Sequence, residues 1–239
     1  MEKLKDFENF WKFKNILITG HSGFKGGWLT ILLNRLGAKI TGISLDTIKN
    51  ESLFYAAEIN KICENYFCDI NHKTNLEKII LKNEPDIIFH LAAQPLVIES
   101  YKKPLSTLKT NIIGTSNLLE IIKKSKKTKV VVIITSDKVY SNSNDENYFK
   151  EKSMLGGKDI YSASKAACEL IVNAYNHSFL KNLNINISTA RAGNVIGGGD
   201  WAENRLIPDI MRSIKFKKTL EIRNPTFTRP WQHVLDPIM

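Results

Sequence analysis

Tyr161 and Lys165 stand four residues apart in the stretch YSASK and form the most chemically suggestive pair in the sequence. In a helix this spacing places both side chains on one face. A phenol with an ordinary pKa of about 10 is a poor base at neutral pH, but a nearby ammonium favours the phenolate and lowers that pKa. Beside a bound hydride acceptor, the pair could take the hydroxyl proton of an alcohol during its oxidation.

A glycine-rich stretch, ILITGHSGFKGGWLT at 16–30, offers a place for such an acceptor. Gly20 ends an apolar run and would permit a tight turn, and Gly23 would let a pyrophosphate approach the backbone. Gly26 would let the following helix pack closely, with its N-terminus facing the phosphates. The alternative is a glycine-rich bend with no ligand, since this spacing alone is weak evidence.

Short apolar runs alternate with longer stretches of helical spacing, and this alternation favours the phosphate site over a bend without a ligand. Continuous apolar runs are typical of parallel strands buried on both faces. The pattern predicts an α/β fold with a doubly wound parallel sheet of the Rossmann type. The predicted strands are 16–19, 39–44, 66–70, 86–91, 130–135 and 186–190, and the predicted helices are 25–36, 75–82, 104–124, 161–180 and 204–213.

Two acidic residues follow predicted strands at positions where adenosine could be bound. Asp46 comes twenty residues after Gly26, where an acid that binds ribose belongs in a dinucleotide site. Asp69 could accept the adenine amino group. Each could also be an ordinary acid at a strand end.

With these motifs in place, the chain resembles the extended short-chain dehydrogenase/reductase family. The resemblance covers the glycines at 20–26, DI at 69–70, HLAAQ at 90–94, TNIIGT at 110–115 and YSASK. It implies an NAD cofactor, with Lys165 holding the nicotinamide ribose and Asn111 bracing the fourth helix. The implied cofactor residues are Gly20, Gly23, Phe24, Gly26, Asp46, Asp69, Ile70, Leu91, Ala92, Ala93, Thr110, Tyr161 and Lys165.

The stretch TSDKVY at 135–140 narrows the resemblance to the sugar-nucleotide 4,6-dehydratases of this family. Ser136, Asp137 and Lys138 match the acid and second polar group that these enzymes carry after the strand. Most of them have Glu where this chain has Lys138, and Lys is typical of the CDP-glucose 4,6-dehydratases. HLAAQPLVIESY, RAGNVIGGGDWAENRLIPDI and RNPTFTRPWQHVLDP are also similar to those enzymes. The alternative is an edge loop of mixed charge.

The resemblance implies a reaction in three linked steps on CDP-glucose. Tyr161 takes the C4 hydroxyl proton as hydride moves to NAD, water leaves across C5 and C6, and hydride returns to C6. Asp137 would protonate the departing hydroxyl, and Ser136 would hydrogen-bond the C4 oxygen. Lys138 would either take the C5 proton, with a pKa depressed by burial or by Lys165, or stabilise the enolate while another group takes that proton.

The substrate residues implied by the resemblance are Gln94, Asn194, Arg205 and Arg229, because amides and guanidinium groups suit a diphosphate and a sugar. Arg205 could instead pair with Glu203 on the surface. Trp201 and Trp231 could line the nucleotide pocket or fill core, and His21 and His233 are expected to be structural or peripheral. Ile98 and Glu99 stand where basic residues are expected, which weakens the case for a phosphate contact from this loop.

Composition limits the other functions the chain could have. Thirty-four basic and twenty-four acidic residues give a net charge of +10, but the densest run, KKSKKTK at 123–129, has no aromatic residues to stack on bases. We expect a solvated helix end there and no nucleic-acid partner.

Cys63, Cys68 and Cys168 show no metal-ligand spacing and are expected to be buried thiols, with no metal site. No apolar run spans a bilayer and no secretory signal is visible, so the cytoplasm is the expected compartment, without a membrane partner.

The expected organisation is an NAD-binding domain at 1–190 and a partial substrate-binding region at 191–239, because family members continue for about a hundred residues more. The long helices at 104–124 and 161–180 carry apolar residues on more than one face. The resemblance implies a homodimer formed through them. A sugar-nucleotide 4-epimerase or a non-catalytic NAD-binding protein remains the alternative function.

Overall fold

Six parallel strands form the central sheet of the structure, a computed structural model that describes residues 2–46, 51–141 and 148–239. Their order across the sheet is β3-β2-β1-β4-β5-β6, so the chain winds outward in both directions from the first strand. This is the predicted doubly wound Rossmann-type sheet. The strands are β1 (Asn15–Thr19), β2 (Lys39–Ser44), β3 (Glu64–Phe67), β4 (Ile87–His90), β5 (Val130–Ile134) and β6 (Asn186–Ala190).

The inner strands β1, β2, β4 and β5 carry the buried strand residues, which explains their apolar runs, whereas no residue of the edge strands β3 and β6 is buried. Leu17 belongs to the core cluster on one face of the sheet, and its neighbours Ile16 and Ile18 belong to the cluster on the other. Side chains of consecutive strand residues point to opposite faces. Both faces therefore require apolar residues, and an alternating polar pattern would leave one of them unfilled.

Helices cover both faces and connect the parallel strands. Leu29 and Leu33 of the second helix pack on the face formed by Ile16 and Ile18. Leu118 and Val172, from the seventh and eighth helices, pack on the opposite face. The helices are α1 (Glu2–Trp11), α2 (Phe24–Arg35), α3 (Leu53–Ala56), α4 (Lys73–Asn83), α5 (Val97–Lys102), α6 (Pro104–Leu108), α7 (Gly114–Ile122), α8 (Ile160–Tyr175), α9 (Leu206–Phe216) and α10 (Leu235–Ile238).

Several boundaries differ from the prediction. The third strand lies at 64–67 rather than 66–70, and α1 has no predicted counterpart. The helix predicted at 104–124 is α6 and α7 joined by a π turn at 109–113, and a second π turn follows α8 at 176–180. The helix predicted from 204 begins at Leu206. Sequence periodicity locates these elements but does not fix their ends, which depend on local capping and packing.

The segment after β6 carries two strands that were not predicted. β7 (Asn194–Ile196) and β8 (Trp231–His233) pair in parallel and form a second, two-stranded sheet. Val234, directly after β8, is buried and donates its backbone N–H to the Ile196 carbonyl oxygen at 2.8 Å. The division at residue 190 stays a prediction, and residues 47–50 and 142–147 of the first unit lie outside the described residues.

The lysine run at 123–129 follows the end of α7 and lies in ion pairs. Lys124 Nζ is 2.6 Å from Glu77 Oε1, and Lys127 Nζ is 2.7 Å from Glu84 Oε2. The prediction of buried cysteines is right for Cys168 alone, because Cys63 and Cys68 are half-buried. No helix in the described part of the chain is long and apolar enough to cross a membrane.

Candidate active site

A cleft of about 1180 Å³ opens at the carboxyl ends of the central strands. In doubly wound sheets this edge is where ligands bind. The cleft lies between the strand ends on one side and parts of residues 192–233 on the other. Predicted site residues that line it are Gly20, Gly23, Phe24, Gly26, Asp69, Ile70, Leu91, Ala92, Ala93, Thr110, Ser136, Asp137, Lys138, Tyr161, Lys165, Asn194, Arg205 and Arg229.

The glycine turn between β1 and α2 has the backbone geometry that a phosphate site requires. Gly20 has a φ of +78°, which side-chain-bearing residues rarely adopt. A Cβ on Gly26 would stand 2.2 Å from the Gly20 carbonyl oxygen, so the helix approaches the turn as closely as backbone permits. Gly23 directly precedes α2. The unpaired N–H groups of the first helical turn are therefore available to an anion at this end of the cleft.

A polar side chain deeper in the cleft also fits a bound dinucleotide. Ser44, the last residue of β2, is 6% exposed and lines the cleft, and its Oγ has no hydrogen-bond partner in the described part of the chain. A buried hydroxyl without a partner is unfavourable unless a ligand supplies one. Asp69 Oδ1 accepts hydrogen bonds from the Asn71 backbone and side-chain nitrogens at 2.8 and 3.0 Å, which fixes the carboxylate at the cleft wall.

Two predicted ligand residues lie elsewhere. Asp46 is exposed and does not line the cleft. Gln94 also lies outside the lining, because its side chain closes its own loop: Nε2 donates to the Leu96 carbonyl and to Thr107 Oγ1, and Oε1 accepts from the Leu96 N–H at 2.6 Å. The structure thus assigns Gln94 a loop-bracing position rather than the predicted substrate contact.

Asn111 has the bracing position that the resemblance implied. Its Nδ2 donates to Ser164 Oγ of α8 at 2.8 Å and to the Gln94 carbonyl at 3.2 Å, and its Oδ1 accepts from the Gln94 N–H. Asn111 lies in the π turn that precedes α7. It therefore ties the loop after β4 to the helix that carries Tyr161.

Tyr161 and Lys165 both lie on α8, where Asp159 caps the helix N-terminus by accepting the Ser162 N–H. Both side chains are buried at the cleft, and Lys165 Nζ donates to the Ile134 carbonyl at the end of β5 at 3.0 Å. The expectation that Lys165 lowers the Tyr161 pKa is not met. Burial raises the pKa of Tyr161, opposed by the hydrogen bond with Ser136 and by the charge of Arg205.

Ser136, Asp137 and Lys138 follow β5, and Asp137–Val139 forms one 3-10 turn. Ser136 Oγ donates to Asp137 Oδ1 at 3.0 Å and accepts from the Lys138 N–H at 3.2 Å. Lys138 is exposed, with its Nζ 6.0 Å from the Tyr161 ring centroid. The idea that burial acts on Lys138 is therefore wrong, whereas its place beside the phenol agrees with either predicted role.

Lys25 is a cleft residue that the sequence reasoning missed. It lies in the first turn of α2 and lines the cleft. Burial, followed by the charges of Arg205 and Lys165, lowers its pKa to about 8, and Asp137 and Asp200 partly oppose this. A lysine in the first turn of a helix is unfavourable beside the positive end of the dipole. That mismatch was the available signal for a functional role.

The opposite wall of the cleft carries the remaining predicted residues. Arg205 lines the cleft, and its Nη1 donates to Asp200 Oδ2 at 3.0 Å. Arg229 is exposed and donates to the Thr228 carbonyl. Trp201 and Trp231 both line the cleft, so they belong to the pocket rather than to the core.

The loop residues that differ from the expected pattern, and the two histidines, also have defined positions in the structure. Ile98 and Glu99 line the cleft, and Glu99 pairs with Lys103 at 2.9 Å. His21 is buried inside the glycine turn with its Nε2 2.5 Å from Asn65 Oδ1, and burial lowers its pKa. His233 Nδ1 accepts from the Leu235 N–H at 3.3 Å near the chain end.

Comparison with known proteins shows the family to which the chain belongs. The family model for GDP-mannose 4,6 dehydratase matches residues 17–239. The chain belongs to this family of sugar-nucleotide 4,6-dehydratases. The CDP-glucose 4,6-dehydratase of Salmonella typhimurium is a homologue, 45% identical over 97% of the chain. The dTDP-D-glucose 4,6-dehydratase of Dictyostelium discoideum is 33% identical over 87% of the chain.

The structural comparison gives the same fold. The dTDP-glucose 4,6-dehydratase of Bacillus anthracis in complex with NAD superimposes with a TM-score of 0.78 at 26% identity, covering 94% of this chain and 69% of that one. The chain spans 66% of the Salmonella relative and 50% of the Dictyostelium relative. It therefore represents less than two thirds of the length of these curated dehydratases.

Proposed function

We propose that this chain carries the catalytic centre of an NAD-dependent CDP-glucose 4,6-dehydratase, which forms CDP-4-keto-6-deoxyglucose and water. The proposal rests above all on one observation, the meeting of Asp137 and Ser136 with the buried Tyr161 hydroxyl at the cleft. A 4-epimerase needs a base at C4 but no acid for a leaving hydroxyl. Asp137 beside Tyr161 therefore favours dehydration over the alternative of epimerisation.

CDP-glucose is favoured among sugar nucleotides by the chain's similarity to the Salmonella enzyme and by Lys138. The identity of 45% extends over 97% of the chain, so it includes both walls of the cleft. Lys25 and Arg205 bring positive charge to the cleft between those walls. Their charge suits the diphosphate of a sugar nucleotide, as does the overall net charge of +10.

The residues present fit an NAD molecule. Gly20, Gly26 and the start of α2 would hold the pyrophosphate, Asp69 and Ile70 the adenine, and Lys165 the nicotinamide ribose. When bound, NAD supplies a hydride acceptor for C4 and a hydride donor for C6. The backbone donors of the turn and the buried Ser44 hydroxyl are the observations that support this fit.

The chain's own residues then divide the proton transfers among them. Tyr161 takes the proton of the C4 hydroxyl, with the Ser136 hydroxyl and the charge of Arg205 favouring its phenolate. Asp137 gives a proton to the C6 hydroxyl, which leaves as water when the C5–H bond breaks. Lys138 either receives the C5 proton as a neutral amine, or as an ammonium it stabilises the enolate while another basic group takes that proton. Ser136 holds the C4 oxygen beside Tyr161.

We further propose that the chain works in the cytoplasm as a homodimer, with residues 1–190 binding NAD and 191–239 contributing to the substrate side. Leu105 of α6 is 79% exposed, and Leu170 of α8 is 59% exposed. Large exposed apolar side chains on neighbouring helices are typical of an interface. Light scattering during size-exclusion chromatography tests the dimer, and a monomer at micromolar concentration contradicts it.

The reaction itself is tested by incubating the purified chain with NAD and CDP-glucose and measuring the 4-keto product by its absorbance in alkali. UDP-, GDP- and dTDP-glucose are assayed in parallel, with the Salmonella enzyme as positive control and Asp137→Asn as the matched variant that should form no 6-deoxy product, which mass spectrometry distinguishes from a 4-keto hexose. Product from CDP-glucose, absent in the variant, supports the proposal. No product from any sugar nucleotide, while the control is active, overturns it.

A further inference from the structure

Glu169 is a buried carboxylate on α8, one helical turn after Lys165, and the chemistry described so far does not use it. It is 6% exposed, and four side-chain donors surround it. Thr135 Oγ1 donates to Oε1 at 2.5 Å and Thr189 Oγ1 to Oε2 at 2.6 Å. Arg191 donates from Nε and from Nη2, each at 2.8 Å, to the two carboxylate oxygens. A buried charge is stable only when it is hydrogen-bonded this fully.

The donors belong to the two chain segments that present the catalytic side chains. Thr135 directly precedes Ser136, and its backbone N–H donates to the Ala190 carbonyl at 2.9 Å. Arg191 directly precedes Ala192, whose carbonyl accepts the Asp137 N–H at 3.2 Å. Glu169 therefore joins the ends of β5 and β6 to the helix that carries Tyr161.

Arg191 is itself held on its far side, so this connection is rigid. Its Nη1 donates to Tyr140 Oη and to the Glu151 carbonyl, both at 3.0 Å. The Tyr140 ring is stacked on Phe149 with ring centroids 4.6 Å apart. Bidentate pairing fixes the orientation of a guanidinium as well as its position.

The electrostatics of Glu169 extend to Lys165. Burial alone would raise the pKa of Glu169, but hydrogen bonds from Arg191, Thr135 and Thr189 outweigh it and lower that pKa. The side chain is therefore a carboxylate. Burial lowers the pKa of Lys165, and the neighbouring Cys168 and the Glu169 carboxylate oppose this. Glu169 thus favours the ammonium form of the lysine beside Tyr161.

We propose that Glu169 is a positioning residue that holds Ser136 and Asp137 in register with Tyr161 and supports the charge of Lys165. The expected effect of Glu169 on turnover rests on the proposed dehydratase function. In this arrangement Thr135 and Arg191 are held by Glu169 of α8, and they in turn fix the positions of the residues that follow them in the chain.

Glu169→Gln tests the positioning role because it keeps the size of the side chain and removes its charge. Displacement of catalytic groups by about 1 Å costs up to about 100-fold in rate, so kcat should fall by about 10- to 100-fold with an unchanged KM for CDP-glucose. Loss of the carboxylate lowers the Lys165 pKa further, so the alkaline limb of the kcat profile should move to lower pH. Glu77→Gln, which breaks an exposed ion pair on α4, is the surface control and should change neither quantity.

A second comparison uses the two threonines and stays informative if Glu169→Gln does not fold. Thr135→Val and Thr189→Val each remove one hydrogen bond to Glu169, but only Thr135 adjoins Ser136. The inference expects the larger loss of kcat in Thr135→Val. Equal effects in the two threonine variants, or wild-type kcat and pH profile in folded Glu169→Gln, overturn it.

A readout without turnover separates this inference from the proposed function. In the chain labelled with ¹³C at lysine Cε, the Lys165 resonance is assigned by its loss in Lys165→Arg and titrated with pH. A midpoint shifted to lower pH in Glu169→Gln supports the electrostatic coupling even if the wild-type chain turns over no sugar nucleotide. An unshifted midpoint overturns it, whether or not the dehydratase assay succeeds.

Discussion

Gly26→Ala tests whether the glycine turn is the dinucleotide site. The new Cβ would lie 2.2 Å from the Gly20 carbonyl oxygen and 2.9 Å from the His21 Cα. These are backbone atoms, so the turn and helix α2 must separate by about 1 Å to reach an ordinary contact. Overpacking of this kind costs about 1–3 kcal/mol. The free chain relaxes by this separation, but a bound pyrophosphate requires the original turn.

The strain therefore reappears as lost affinity for NAD, and 1–3 kcal/mol corresponds to about a 5- to 150-fold rise in Kd. Isothermal titration calorimetry measures this Kd directly. Gly27→Ala is the matched control, because its Cβ would meet the movable ends of Ile59 and Leu53 at 2.8 Å. It should leave NAD affinity unchanged. Wild-type NAD affinity in Gly26→Ala would refute the assignment of the turn.

Four further outcomes follow from the site and the core. Tyr161→Phe should lower kcat by about 10²- to 10⁴-fold with unchanged NAD affinity by calorimetry, and unimpaired turnover would exclude Tyr161 as the base. Asp137→Asn should let a 4-keto hexose that retains its 6-hydroxyl accumulate, as measured by mass spectrometry. The Lys25 pKa of about 8 predicts that CDP binding weakens above that pH, and Lys25→Met should abolish this dependence in calorimetry. Burial lowers the pKa of His90 to about 3 from 6.5. The unfolded chain therefore binds more protons between these values, and stability should fall by about 1.4 kcal/mol per pH unit as the pH drops below 6.5. Urea unfolding should show a shallower dependence in His90→Asn.

The sheet and its ligand edge could be predicted because local patterns determine them. Runs such as VVVII at 130–134 are apolar at consecutive positions, which a strand buried on both faces requires. The spacing of Gly20 and Gly26 predicts the turn, because it reflects a backbone contact between residues close in sequence. Strand order and cleft position then follow from the rules of doubly wound sheets.

Burial and long-range pairing could not be predicted in the same way. The sequence shows that Tyr161 and Lys165 share a helical face, but the sign of the Tyr161 pKa shift depends on how deeply the helix packs. Gln94 looked like a substrate ligand because its type suits one, yet Thr107 and Leu96 engage its amide. The Glu169–Arg191 pair joins residues 22 positions apart on different elements, so no local spacing marks it.

The charge balance at Tyr161 joins the two parts of the chain into one site. Burial, which raises the phenol pKa, comes from the sheet and α8 within the first 190 residues. Part of the opposing influence comes from Arg205, which lies beyond β6 and is oriented by Asp200 at 3.0 Å. A Rossmann-type unit alone could bind a dinucleotide at the glycine turn, but its buried phenol would lack this cation. In the proposed dehydratase, the segment after residue 190 would therefore do more than enclose the substrate, because it also favours the phenolate on which proton removal would depend.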